Sequence, residues 1–240
     1  MIRAALVVLL LVPVAGCSVP PGAEPVPVES SPPASPVDLI AHSLDAINTT
    51  TVHLYSTDME GSITLTVVGD LDLAHSRAEL LANDGRFILV GEDLYQWPNA
   101  APWVHYSLAK LGMDNGILDV MRLGRVARLL SGVVTATAFP DGRYQCRTDL
   151  TRARLLATRK GQDRLLNLLA ATGAGAANFP FTATVDSQRR LTTISYDVPL
   201  ANTVAPQAIT LSDYGQRVTI EPPSGTIREA SETEYDIYSQ

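Results

Sequence analysis

Residues 77–97 read RAELLANDGRFILVGEDLYQW. Three short runs, Arg77–Ala82, Phe87–Val90 and Leu94–Trp97, are separated by Asn83-Asp84-Gly85 and Gly91-Glu92-Asp93. Asn, Asp and Gly tolerate the positive φ that tight hairpin turns require. Strands joined by such turns pair antiparallel. This stretch therefore predicts a β-meander, and its pattern extends in both directions.

Upstream, Val52 and Leu54 alternate with His53 and Tyr55, and Ile63, Leu65 and Val67 alternate with Thr64 and Thr66. Leu71 and Leu73 alternate with Asp70 and Asp72. A period of two marks strands with one buried face. Before them, Ile40, Leu44 and Ile47 have helical spacing, with Ser35 or Asp38 available as the cap. Downstream, residues 115–131 predict one helix with Val120, Leu123, Ala127 and Leu130 on one face and Arg122, Arg125 and Arg128 on the other. Strands are expected at 133–139 and 144–148, then helices at 153–157 and 164–171. A hairpin at 179–185 and 191–197 and a last pair at 208–211 and 217–220 follow. The expectation is an α+β domain: roughly nine or ten strands forming a single curved antiparallel β-sheet with helices packed on one face.

The beginning of the chain has a different character. Ala4 to Val12 is apolar throughout, far shorter than the roughly 20 residues needed to span a bilayer. Arg3 precedes the run and Val14-Ala15-Gly16-Cys17 closes it, which fits a secretory signal peptide. It also resembles a bacterial lipobox, in which cleavage falls before the cysteine and its sulfur, the better nucleophile, takes up a diacylglycerol. An ordinary signal peptide with an incidental cysteine shares the apolar run, but the small residues before Cys17 and the linker after it favour the lipobox. Seven prolines lie between Ser18 and Pro36. They predict an extended tether reaching up to ~60 Å at about 3.1 Å per residue. The expected organisation is signal peptide 1–16, acylated cysteine and tether 17–37, folded domain 38–226, and an acidic, disordered tail 227–240.

With 240 residues, 46% hydrophobic and 18% charged, the chain can bury a core. Its net charge of −7 argues against a general nucleic-acid binder. No nucleophile elbow, Walker A loop or dinucleotide fingerprint occurs. The four histidines are dispersed and predict no metal site, no cofactor is indicated, and the chain does not read as an enzyme. The Asp70/Asp72 pair reads as a solvated strand face rather than an acid–base pair. Cys146 is expected to be a buried, unpaired small residue. Trp97 and Trp103 frame a loop that either gates a ligand or packs the edge of a core. The three arginines either meet anionic headgroups or form a solvated helix face.

Two segments bear a family likeness. FILVGEDLY (87–95) with Trp103, and ITLSDYGQRVTIEPP (209–223), resemble the LprG/LppX-type lipoproteins of mycobacteria, and the lipobox, tether and first helix agree. The resemblance covers roughly residues 38–225. It implies a LolA/LolB-like half-barrel with helices on its concave side, an apolar cavity between sheet and helices, and no catalytic residue. It further implies a lipoprotein on the extracytoplasmic side of the cell membrane that carries long-chain lipids or glycolipids toward the outer envelope, with a membrane transporter as a partner. The alternative is a non-catalytic adaptor docking such a transporter or an envelope assembly enzyme. A cavity of this kind gains about 0.8 kcal/mol per buried methylene. Leu65, Val67, Leu89, Val120, Leu123, Ala127, Leu130, Leu165 and Leu169 are the candidate wall positions. The arginine-bearing segment 151–171 and the acidic tail depart from the family pattern.

Overall fold

The computed structural model describes residues 35–60, 63–83, 85–98, 102–111, 116–155, 172–199 and 204–239. Cys17, the turn residue Asp84, the centre of the Trp97–Trp103 loop, Leu165, Leu169 and the expected helix 164–171 lie outside these residues, as does the side chain of Val120.

Among the described residues, twelve strands form one sheet that does not close into a barrel. The first six are β1 (Val52–Glu60), β2 (Ile63–Asp72), β3 (Arg77–Ala82), β4 (Gly85–Val90), β5 (Asp93–Trp97) and β6 (Trp103–Ser107). Each pairs antiparallel with the next, as the turn pattern predicts. A second run comprises β7 (Val133–Ala138), β8 (Arg143–Thr148), β9 (Phe179–Val185), β10 (Leu191–Pro199) and β11 (Val204–Ser212). It joins the first through an antiparallel β1–β11 seam. The final strand, β12 (Ile227–Glu229), lies parallel to β6 at the edge, so the sheet is antiparallel except at this pair.

The strand pair expected from 208–211 and 217–220 does not form. β11 is paired by β10 on one side and β1 on the other, so both its edges are occupied. Residues 217–220 instead run without strand pairing, with Ile220 buried and its carbonyl accepting from Arg77 Nη1 at 2.8 Å.

The registers define two faces. Leu54, Gly69, Leu80, Phe87, Gln96 and Val104 stand opposite one another from β1 to β6. Leu54 also faces Leu211 across the seam. This face builds the core together with Ile40, Leu44, Ile47, Leu118, Met121, Val126 and Leu129, so the helices pack on the concave side of a half-barrel. Helix α1 (Pro36–His42) is capped by Ser35, whose hydroxyl accepts from Asp38 N. The short helix α2 (Leu108–Leu111) follows β6.

The expected single helix over 115–131 is two: α3 (Gly116–Met121) and α4 (Gly124–Ser131). Leu123 sits in the left-handed region, φ 51°, which breaks the helical phase. The buried face of α4 becomes Val126, Leu129 and Leu130, and Ala127 is exposed. Helix α5 (Leu150–Leu155) starts at Asp149, whose Oδ1 accepts from Thr151 N.

The tail is not disordered. Residues 227–229 form β12 and Glu232–Ser239 forms helix α6. Its acids are held by cations of the body and of the tail: Lys110 reaches Glu232 at 2.5 Å, and Arg228 binds Glu234 through both oxygens at 2.5 and 2.8 Å. Tyr235 is buried against Tyr106 and accepts from Ser107 N.

Gly69 marks a close approach on the concave face. A Cβ there would overlap the Glu79 carbonyl oxygen and stand 2.9 Å from Leu80 Cα, both main chain of β3. A strand glycine of this kind permits tight inter-strand contact. Gly69→Ala should therefore cost about 1–3 kcal/mol, the usual penalty of overpacking. Thermal melting checks it, with a drop of several degrees expected.

Candidate functional site: the concave face

The concave face is not sealed uniformly. Leu54, Leu71, Ala78, Leu89 and Leu211 are essentially inaccessible. Farther along the same face, Ser56, Leu65, Val67, Ala82 and Ile209 are only half-buried. The registers make these neighbours: Ser56 faces Val67 on one side and Ile209 on the other, and Val67 faces Ala82. Val67, Ala82 and Ile209 still pack on the core, whereas Leu65 is outside that cluster. The result is a half-open strip of mostly aliphatic surface, with Ser56 in its middle, on a face elsewhere packed by helices.

A polar cluster adjoins this strip. Asp58 is the cross-strand partner of Leu65. Its carboxylate accepts from Arg125 Nη1 of α4 at 3.0 Å and from Gln207 Nε2 of β11. The same Nη1 donates to Gln207 Oε1 at 3.2 Å. Gln207 faces Tyr196 on β10. The Tyr196 side chain is buried, and its hydroxyl has no hydrogen-bond partner. It lies beside the Arg125 guanidinium but outside hydrogen-bond geometry. Burial raises the pKa of Tyr196 despite the opposing pull of Arg125, so the hydroxyl keeps its proton. Burial disfavours the charge of Arg125, but the Asp58 carboxylate favours it and its pKa is raised.

Two of the three helix arginines are thus internal partners rather than a solvated face. Arg128 binds Asp119 through two bonds of 2.7 Å, with both side chains largely buried. The fork geometry suits that carboxylate. The reason is again the phase break at Leu123, which turns Arg125 and Arg128 inward.

Of the sequence-derived wall positions, Leu65, Val67 and Leu89 share the concave face, and Leu123 and Leu130 are buried in the helices above it. Leu89 lies in the sealed part and Leu65 and Val67 in the open strip. Trp97 and Trp103 are not at its mouth. Trp97 pairs with Arg86 on the opposite, convex face, where the two rings stack at 6.3 Å and Arg86 lies over Trp103. One-residue alternation put them there: the concave positions of these strands are Gln96 and Val104. A groove of about 310 Å³ on that convex side is lined by Glu79, Arg86, Thr219 and Glu221, with Trp103, Pro222 and Pro223, and is polar.

Asp58, Tyr196 and Gln207 escaped sequence reasoning. Their signal was parity: Gln207 falls between Ala205 and Ile209, and Asp58 shares the phase of Val52 and Leu54. A polar residue on the apolar phase of a strand is worth marking.

Other candidates resolve plainly. Cys146 is fully buried, and burial pushes its thiol up to about 12. Among the described residues no cluster of His, Cys, Asp and Glu could hold a metal ion. His105, on the convex side, bridges Asp93 through Nε2 at 2.8 Å and Glu229 of β12 through Nδ1 at 2.9 Å. Burial disfavours its charged form, but hydrogen bonds to Asp93 and Glu229 prevail and raise its pKa. Tyr95 stacks beside it at 5.1 Å. A raised histidine pKa stabilises the fold fully below the unfolded value of about 6.5 and loses that contribution as pH rises through the folded value. Docking of β12 should therefore weaken over the interval that opens at the unfolded value of about 6.5 and runs through the higher folded value. Amide exchange of residues 227–235, corrected for intrinsic rate, should accelerate across that interval, and His105→Gln should remove the difference.

No family model matches the chain, and no curated protein matches it. Solved structures do. LprF from Mycobacterium bovis matches at 14% identity over 82% of this chain and 100% of its own, TM-score 0.47. An uncharacterized conserved protein from Thermus thermophilus matches at 7% over 80% and 97%, TM-score 0.41. A LolA superfamily protein from Nitrosomonas europaea matches at 8% over 77% and 93%, TM-score 0.27.

Proposed function

We propose that this protein is a cell-envelope lipoprotein that holds the acyl chains of a long-chain lipid or glycolipid on the concave face of its sheet and carries them toward the outer envelope. The observation that supports this most is the half-open strip of Leu65, Val67, Ala82 and Ile209, aliphatic except for Ser56 between Val67 and Ile209. Water-exposed aliphatic surface on an otherwise sealed core face is unfavourable, and each methylene laid on it gains about 0.8 kcal/mol. A chain of a dozen or so methylenes therefore has ample drive, on the order of 10 kcal/mol before ordering costs. The Cys17 lipobox supplies the membrane end: the sulfur carries a diacylglycerol, the proline-rich segment is the leash, and the domain works on the extracytoplasmic side. A membrane transporter as donor of the cargo fits this arrangement.

The test is lipid analysis of protein purified from an actinobacterial host. A co-purifying lipid should be released by organic solvent, and Leu65→Asp should abolish its retention. Leu65 is the variant of choice because it lies outside the packed core, so melting should change little. A wild-type protein carrying no lipid, or a Leu65→Asp protein carrying as much, contradicts the proposal. Cys17→Ser should separately move the protein from the membrane fraction to the soluble fraction.

A further inference from the structure

The apolar strip ends at a group of polar side chains that the proposed acyl-binding role does not itself require. Asp58 and Leu65 are register partners, so the last aliphatic residue of the strip and the first carboxylate of the cluster stand side by side. Four elements converge there: β1 brings Asp58, β11 brings Gln207, β10 brings Tyr196 and α4 brings Arg125. Such convergence desolvates polar groups at a cost that a mere core would avoid. One of them is left unsatisfied. The Tyr196 side chain is buried, its hydroxyl makes no hydrogen bond, and it keeps its proton. A buried, protonated hydroxyl without a partner is a donor awaiting an acceptor.

We propose that Asp58, Arg125, Tyr196 and Gln207 form a head-group subsite at the end of the lipid strip, and that it takes an uncharged, hydroxyl- or ester-bearing head. The inference rests on the lipid-binding reading above. The charge arrangement selects the head. Arg125 is neutralised by Asp58, and Arg128 by Asp119. A phosphate brought here would meet the Asp58 carboxylate with no spare guanidinium to offset it. A glycerol hydroxyl, a sugar hydroxyl or an ester carbonyl meets no such repulsion. It would accept from Tyr196 Oη, while the Arg125 hydrogen bonds to Asp58 and Gln207 both leave from Nη1. The amide of Gln207 and the carboxylate of Asp58 offer acceptors for hydroxyl protons in return.

Two probes with the same chains and different heads test this: dioleoylglycerol and dioleoyl phosphatidic acid, each competing with a fluorescent fatty acid on the delipidated protein. The wild type should prefer dioleoylglycerol. Tyr196→Phe should weaken dioleoylglycerol roughly fivefold, the worth of one neutral hydrogen bond, and leave the fluorescent fatty acid unaffected. Its melting temperature should stay the same or rise, because the lost hydroxyl had no partner in the chain. Asp58→Asn should shift the preference toward phosphatidic acid by removing the repelling charge. Wild-type protein that binds the fatty acid but ignores the head group, or a Tyr196→Phe protein that binds dioleoylglycerol as before, overturns the subsite and leaves the lipid-binding reading standing. A Tyr196→Phe protein that melts lower shows that the hydroxyl serves the fold, and overturns it too. Failure to bind any of the three probes overturns both.

Discussion

The seam between β1 and β11 is the pairing on which the rest of the structure depends. It joins a meander built from 52–107 to one built from 133–212, and it does so in one register, with Leu54 opposite Leu211 and Ser56 opposite Ile209. A slip of one residue would turn every side chain of one half to the wrong face. With the register as it is, the aliphatic phases of both meanders fall on one continuous concave surface, and the helices have one place to pack. Asp58 and Gln207 meet at the end of this seam, so the polar cluster follows from the same pairing that makes the core.

Burial along that surface grades from closed to half open. The closed end is filled by α1 and by the α3–α4 pair. The open end borders Arg125, held by a carboxylate and an amide from the two seam strands. Loss of Asp58 would leave the Arg125 charge half-buried without a counterion, which explains why the two occur together. The tail is organised by the same logic at the far edge, where Lys110, Arg228 and His105 hold its acids and Tyr235 anchors it in the core.

The strands were legible because turn chemistry and alternation both speak locally. Asn83 to Gly85 and Gly91 to Asp93 bracket β4 within a residue or two of where it lies. What was not legible depended on partners remote in sequence. Leu123 adopts a left-handed backbone that a leucine seldom takes, so the spacing reads as one continuous helix with its arginines facing water. The acidic composition after residue 226 suggests disorder, but cations at 105, 110 and 228 balance it. The Trp97–Trp103 pair reads as a lip, and parity places it on the convex face. Asp58 and Gln207 are 149 residues apart, and only the fold brings them together. The extent of the open strip could not be read from sequence at all, because apolar residues that pack and apolar residues that line a groove look alike.

The central claim is that acyl chains lie on the strip of Leu65, Val67 and Ile209. Methyl NMR with a spin-labelled fatty acid tests it most directly. The account predicts that the methyl signals of Leu65, Val67 and Ile209 broaden on titration, while those of Leu81 and Ile227 on the exposed surface stay sharp. Broadening confined to the surface methyls, or none anywhere, would contradict it.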